Sequence, residues 1–323
     1  MENDKHAQES NIGSNLPEAL ESTDLPWLGA KYTGKVRDTY TRGAQRVLIA
    51  TDRLSAFDRL LTTVPLKGQV LTQLAQYWFE KVSSITPHHV IAVPDPCVVV
   101  AREVAIVPIE VVVRAYLAGS AWRDYSAGRA ISGVRLPAGI CQFDPLPAPL
   151  LTPSTKESVG EHDLPISESE IVQRGIASSG VWEEIRSKAL QLFQMASAEV
   201  AQRGLILADT KYEFGLLDGS VVLADEVHTL DCSRFWVKSS YESRLSAGEA
   251  PEMLDKEPIR RWLMARGFQG EGQPPRITDE YRRELMQHYI QSFERITGVP
   301  FAPDIEDPPV RIERNLRRYF RLA

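Results

Sequence analysis

Apolar residues come as short runs early in this 323-residue chain and as four-residue repeats later. The first third holds KVRDTY, RVLIATD and CVVVAREVAIVPIEVVVRAYL, runs rich in β-branched residues that predict strands. Between them, VLTQLAQYWFEKV sets Leu71, Leu74, Trp78 and Val82 at helical spacing. Further on, VWEEIRSKALQLFQMASAEVAQRG repeats apolar residues at Ile185, Ala189, Leu192, Ala196 and Val200. It stops at Gly204, where a helix C-cap belongs, so the stretch predicts a long amphipathic helix. TDEYRRELMQHYIQSFERITG opens on a Thr/Asp cap and predicts a last helix buried along Tyr281, Leu285, Tyr289 and Phe293. Residues 205–228 predict a strand pair turning at Asp218-Gly219.

These elements describe an α+β protein of two lobes. Residues 1–26 read as a polar mobile tail, 27–113 as a β-rich lobe, 114–300 as a larger mixed α/β lobe and 301–323 as a C-terminal extension. A hinge is expected near residues 108–114. The proline- and glycine-dense stretch ISGVRLPAGICQFDPLPAPLLTPSTKESVGEHDLP cannot be one regular element, and an irregular stretch that long is usually functional. The extension reads as a charged, solvated helix; packing of its arginines on the body or on a second copy of the chain is the alternative.

Composition narrows the class. With 43% hydrophobic and 25% charged residues and a net charge of −6, the chain needs no staple, and neither nucleic acid nor a membrane is an expected partner. Cys97, Cys141 and Cys232 lie far apart, which excludes a disulfide framework or cysteine-rich zinc site and fits a reducing compartment. The first residues carry no apolar signal region and no run of eighteen apolar residues occurs, so the expectation is a cytoplasmic protein.

The densest chemistry lies in GLILADTKYEFGLLDGSVVLADEVHTLDCSRFW. Period-two alternation sets Asp209, Lys211 and Glu213 on one strand face, which is either solvated or a site. A three-residue loop, Asp218-Gly219-Ser220, would place Glu213 directly across from Asp225; a two-residue loop would put them on opposite faces. Two carboxylates that close call for a cation between them, and oxygen-only ligands favour Mg2+ shared with substrate phosphates.

Elsewhere, YTGKVRDTY offers Gly34, Lys35, Val36 and Arg37 as a turn able to hold anionic oxygens, or an exposed hairpin with two cations. Asp52, Ser55 and Asp58 follow a buried strand, where they either meet a ligand or cap the turn. Arg114 emerges from an apolar run before Ser120, so it is paired or binds an anion. Lys156, His162 and Asp163 share a loop, and Ser233 and Arg234 follow the carboxylate hairpin. The residues alone reach as far as phosphoryl transfer or ATP-driven ligation.

In order, GKVRD, ATDRLSAFD, PIEVVVRAYLAGSAW, TPSTKESVGEHD, ADTKYEFGL and ADEVHTLDCSRFW closely resemble the SAICAR synthetases of purine biosynthesis, over about residues 27–300. The resemblance implies a cytoplasmic ligase with a kinase-like arrangement that joins CAIR, a carboxylated aminoimidazole ribonucleotide, to L-aspartate at the expense of ATP. It implies an acyl phosphate on the CAIR carboxylate. It further implies that Gly34, Lys35, Val36, Arg37, Glu110 and Lys156 meet ATP, with residues 108–110 as the hinge at adenine. Glu213 and Asp225 would hold Mg2+. Ser55, Asp58, Arg114, Ser120, Ser233, Arg234 and Arg260 would meet substrate, and Asp209, Lys211 and Asp163 would serve the chemistry. For the amine's proton, Asp163 and the bound phosphate are both candidates. Two rivals stand beside this reading: a kinase-like phosphotransferase and a nucleotide-binding regulatory module. The chain lacks the H-R-D-x-x-x-x-N and D-F-G strings of protein kinases, and it retains both carboxylates that a module without turnover has no need of.

Overall fold

The β-branched runs of the first third form a sheet in a computed structural model that describes residues 16–57, 59–156 and 163–322. Its strands are β1 (Ala30–Thr33), β2 (Arg37–Arg42), β3 (Gln45–Ala50), then, past the small ladder of β4 (Arg53–Ala56) with β5 (Arg59–Thr63) and the helix α1 (Lys67–Val82), β6 (Val90–Asp95) and β7 (Val98–Arg102). They pair antiparallel in the order β1-β2-β3-β7-β6.

The second sheet is built on β8 (Ala105–Tyr116). After it come α2 (Gly119–Ser126), β9 (Pro145–Leu151), β10 (Ser154–Thr155), α3 (Glu168–Gln173), α4 (Ser179–Ala201), β11 (Leu205–Leu217), β12 (Ser220–Ala224) and β13 (Ser233–Val237). β8 and β11 pair antiparallel at its centre. β12 and β13 share the far edge of β11, and β9 and β10 share the far edge of β8. Helices α5 (Lys238–Ser246), α6 (Glu257–Met264), α7 (Asp279–Thr297) and α8 (Pro308–Tyr319) complete the chain.

Period two makes the second sheet two-faced. Val107, Ile109, Val111 and Val113 of β8, with Leu207, Tyr212 and Phe214 of β11, are buried in one core with Ile185, Ala189, Leu192, Ala196 and Val200 of α4. That is the stripe expected from sequence, and burying each of its larger side chains, Ile185, Leu192 and Val200, contributes about 1.5–3 kcal/mol. Leu285, Tyr289 and Phe293 of α7 join the same core, while Tyr281 is only partly buried. The Thr278 hydroxyl caps α7 by accepting from the Tyr281 N–H, and Gly298, in the left-handed region, ends it. The opposite face, carrying Glu110, Arg114, Asp209, Lys211 and Glu213, is the charged one.

Three expectations are corrected. Residues 16–28 are not a mobile tail: Leu20, Leu25 and Leu28 pack on Val47, Ile49, Val98 and Val100 of the first sheet, beside Ile312 and Leu316 of α8. Residues 108–114 are no hinge loop, because β8 runs unbroken through them and through the expected lobe boundary at 113/114. The C-terminal helix is not a solvated element. Arg311 is fully buried, with its Nε 3.0 Å from Asp95 Oδ2. It also donates to the Asp304 carbonyl at 2.9 Å. Asp58 and His162 lie outside the described residues. Among the described residues, no helix is long and apolar enough to cross a membrane.

Candidate active site

The hairpin decides how the carboxylates meet. Leu217 pairs with Ser220, so the loop is the two-residue Asp218-Gly219 turn, and Glu213 stands opposite Ala224, not Asp225. The three-residue loop expected from sequence is thus one residue too long. Both turn residues have positive φ, as a two-residue turn matched to strand twist requires. Asp225 is nevertheless recovered for the charged cluster, because the chain leaves β12 there with φ 64°.

Two rows of charge cross the polar sheet face. In the first, Asp209 lies between Arg114 on β8 and Arg234 on β13, each its direct cross-strand neighbour. Its carboxylate accepts from Arg114 Nη1 at 3.0 Å and from Arg234 Nη1 at 2.7 and 2.9 Å. Arg114 also donates through Nε to Thr152 Oγ1 at 2.8 Å and through Nη2 to Ser120 Oγ at 3.0 Å. Gly119 fits this packing as few residues could: φ is +59°, and a Cβ would sit 2.6 Å from Arg234 Nη2. In the second row Glu110 and Glu213 are direct neighbours, and Lys211 bridges them at 2.7 and 2.9 Å. Lys156 also pairs with Glu213.

Arg37, beyond the turn that starts β2, reaches Asp225 at 2.5 Å and Glu226 at 4.0 Å. Burial works against these charges, but the pairing wins: Arg37 and Lys211 hold the Asp225 carboxyl below the usual carboxylate range. Burial likewise opposes the Lys211 ammonium, and Glu213 and Glu110 hold it well above its ordinary value. Burial pushes Glu226 up, with Arg37 opposing.

A cleft of about 700 Å³ opens beside these rows. Lys35, Val36, Ser55, Ser120, Lys211, Arg234 and Arg260 line it, so seven of the expected residues converge there. Arg37 and Asp225 line a small adjoining pocket with apolar walls, including Leu48, Leu71 and Phe79. Ser233 does not join them: it pairs with Thr210, on the opposite sheet face from Arg234, and its hydroxyl lies 2.7 Å from Thr210 Oγ1. Asp163 stands beside β10 and is exposed; it does not line the cleft. Pro108 and Glu110 are strand residues, and the Pro108 carbonyl accepts from the Lys156 N–H.

Sequence reasoning missed a second charged node. Asp231, which lines both cavities, accepts from Lys256 Nζ at 2.8 Å and from Lys67 Nζ at 3.0 Å. Burial pulls the fully enclosed Lys67 ammonium down, and Asp231 opposes it. The available signal was position: Asp231 precedes Ser233 and Arg234 by two and three residues, but an acid at a strand start reads as a turn residue.

The carboxylates fit a divalent cation that also binds substrate. Glu213, Asp225 and Glu226 offer oxygen donors only, and among the described residues no ready group of three or more metal-ligating side chains exists. Mg2+ typically takes one or two carboxylates and completes its shell with water and phosphate, so this donor set suits it.

Comparison with known proteins agrees with this geometry. Residues 30–277 match the family model of SAICAR synthetase. The phosphoribosylaminoimidazole-succinocarboxamide synthase of Legionella pneumophila is 45% identical over 313 residues, 94% of this chain and 99% of the relative. Among solved structures, the SAICAR synthase of Saccharomyces cerevisiae complexed with SAICAR superposes with TM-score 0.77 at 27% identity, over 88% of this chain and all of that one. A SAICAR synthetase in complex with ADP superposes with TM-score 0.64 at 25% identity, over 85% of this chain and all of that one.

Proposed function

Because the chain belongs to the SAICAR synthetase family, we infer that it is an ATP-dependent ligase of purine biosynthesis, joining CAIR and L-aspartate to give SAICAR, ADP and phosphate. The observation that carries the reading is the pair of charged rows, Arg114-Asp209-Arg234 and Glu110-Lys211-Glu213, which give Arg234 and Lys211 to the cleft that the Lys35-Val36 turn also lines.

A carboxylate is a poor electrophile. Transfer of the γ-phosphoryl to a CAIR carboxylate oxygen breaks the bond to ADP and makes an acyl phosphate. The aspartate amine then attacks the carboxyl carbon, the carbon–oxygen bond to phosphate breaks, and the nitrogen gives up a proton. The protein's work is positioning and charge. Arg114 and Arg234, oriented by Asp209, present donors to the anionic CAIR. Lys35 and Arg37 meet the nucleotide's phosphates, and Lys211 and Lys156 stand where negative charge accumulates. Glu213 and Asp225 would hold Mg2+, which when bound offsets charge on the phosphates. Ser55, Ser120 and Arg260 serve the remaining polar groups of the substrates. Of the two acceptors expected for the amine's proton, the released phosphate is the better placed, since Asp163 does not line the cleft. Such a protein works in the cytoplasm on small molecules.

The test is ADP release with ATP, Mg2+, CAIR and aspartate, omitting each in turn. Release that needs all four, with a product heavier by the aspartyl group, is expected. Release without aspartate would indicate a phosphotransferase, and no release at all would remove the assigned activity.

A further inference from the structure

The turn between β1 and β2 does not hold its own shape by local bonds alone. The Gly34 N–H donates to the Arg37 carbonyl at 2.8 Å, which closes the turn, and a Cβ at Gly34 would lie 3.2 Å from that oxygen. Its next carbonyls are held from outside. Arg53, buried at the start of β4, donates through Nη2 to the Gly34 carbonyl at 3.0 Å and through Nε to the Lys35 carbonyl at 3.2 Å. Thr51 holds the Val36 carbonyl twice, through its N–H at 3.0 Å and its hydroxyl at 2.8 Å.

Three consecutive carbonyls are thereby drawn toward the first lobe's interior. In a trans peptide the N–H points opposite to the C=O, so holding the Gly34 and Lys35 carbonyls aims the Lys35 and Val36 N–H groups away from Arg53. Lys35 and Val36 line the cleft. Successive N–H groups aimed alike make an anion-binding concavity.

Arg53 is itself fixed. Its Nη2 also meets Asp38 Oδ1 at 2.9 Å, and its Nη1 donates to the Glu21 carbonyl at 2.6 Å. Burial pushes the Asp38 carboxyl up, but the Thr23 N–H, Lys31 and Arg53 together hold it below its ordinary value. The segment before β1 is tied in the same way, with the Leu20 N–H on Asp52 Oδ2 at 2.8 Å and the Thr23 N–H on Asp38 Oδ2 at 2.7 Å.

We propose that Arg53 is a positioning residue for the nucleotide's phosphates: its guanidinium sets the backbone of the 34–36 turn, and the segment at Glu21 braces that guanidinium. This rests on the reading that the turn meets ATP. A planar fork reaching several carbonyls at once is something an ammonium cannot copy.

The test compares Arg53→Lys, Thr51→Val and Lys35→Ala by nucleotide affinity, steady-state kinetics and amide exchange in the folded enzyme. Arg53→Lys is expected to raise the Kd and KM for ATP about tenfold, with kcat and the KM for CAIR and aspartate within about twofold. Amide exchange at residues 34–37 should quicken while the melting temperature holds. Thr51→Val, which leaves the Arg53–Asp38 pair intact, should act in the same direction even if Arg53→Lys does not fold. Wild-type ATP affinity in both, with ATP binding weakened by Lys35→Ala, would overturn the positioning role and leave the turn's role standing. Amide exchange at residues 34–37 that ATP does not slow would remove the turn's role, and the proposal with it. A parallel rise in all three KM values with a lowered melting temperature would make Arg53 merely structural and also overturn it.

Discussion

At the residue scale, Asp209 organises the charged face of the second sheet. One carboxylate holds two guanidiniums from two different strands, so each arginine presents its remaining donors in a fixed direction. Asp209→Asn keeps the shape but leaves two cations sharing a neutral amide, which lets them repel and turn. The KM for CAIR is expected to rise by about tenfold or more, with the KM for ATP little changed. Steady-state kinetics on each substrate separately checks this. An equal rise for both would mean that Asp209 supports the whole cleft and not the CAIR side alone. The sequence makes Asp209 visible by alternation with Lys211 and Glu213. It cannot show that the face is buried, because a solvated strand carries the same pattern. Nor does alternation settle Ser233, since whether it or its neighbour Arg234 faces the cleft depends on the pairing of β13 with β11.

At the element scale, α8 shows what local pattern misses. Its arginines look solvated, yet Arg311 is fully buried against Asp95, which also accepts from Asn315 Nδ2 at 2.8 Å. Removing one partner of a buried pair leaves the other charge uncompensated. Arg311→Met should therefore lower unfolding free energy by about 3–5 kcal/mol in denaturant titration, and adding Asp95→Asn should recover part of it. A loss under about 1 kcal/mol would show that the helix docks through Ile312 and Leu316 alone. The long helices α4 and α7 were legible because their apolar stripes repeat within each element. Residues 16–28 and α8 were not, since their partners lie far along the chain: Leu20 with Asp52, and Arg311 with Asp95. The hairpin falls between these cases. Asp-Gly marks the turn, but two- and three-residue loops both accept it, and only the pairing of Leu217 with Ser220 decides.

At the scale of the whole molecule, residues 16–28 and α8 close over the first sheet, and the sheet in turn presents the 34–36 turn to the charged face of the second. The cations and carboxylates beside the cleft are paired with one another: Arg37 with Asp225, Lys156 and Lys211 with Glu213. On the proposed reading, a nucleotide entering with a divalent cation would offer both sets new partners at once, the phosphates to the cations and the metal to the carboxylates, leaving little net charge exposed. That arrangement serves transfer of a phosphoryl group to a carboxylate followed by its displacement by an amine. The most direct measurement is isotope transfer, with CAIR carrying 18O in its carboxylate, turned over with ATP, Mg2+ and aspartate. One labelled oxygen in the released phosphate for each SAICAR formed is the expected result. Phosphate free of label, its fourth oxygen drawn from water, would contradict activation of the carboxylate and with it the ligase mechanism assigned to this cleft.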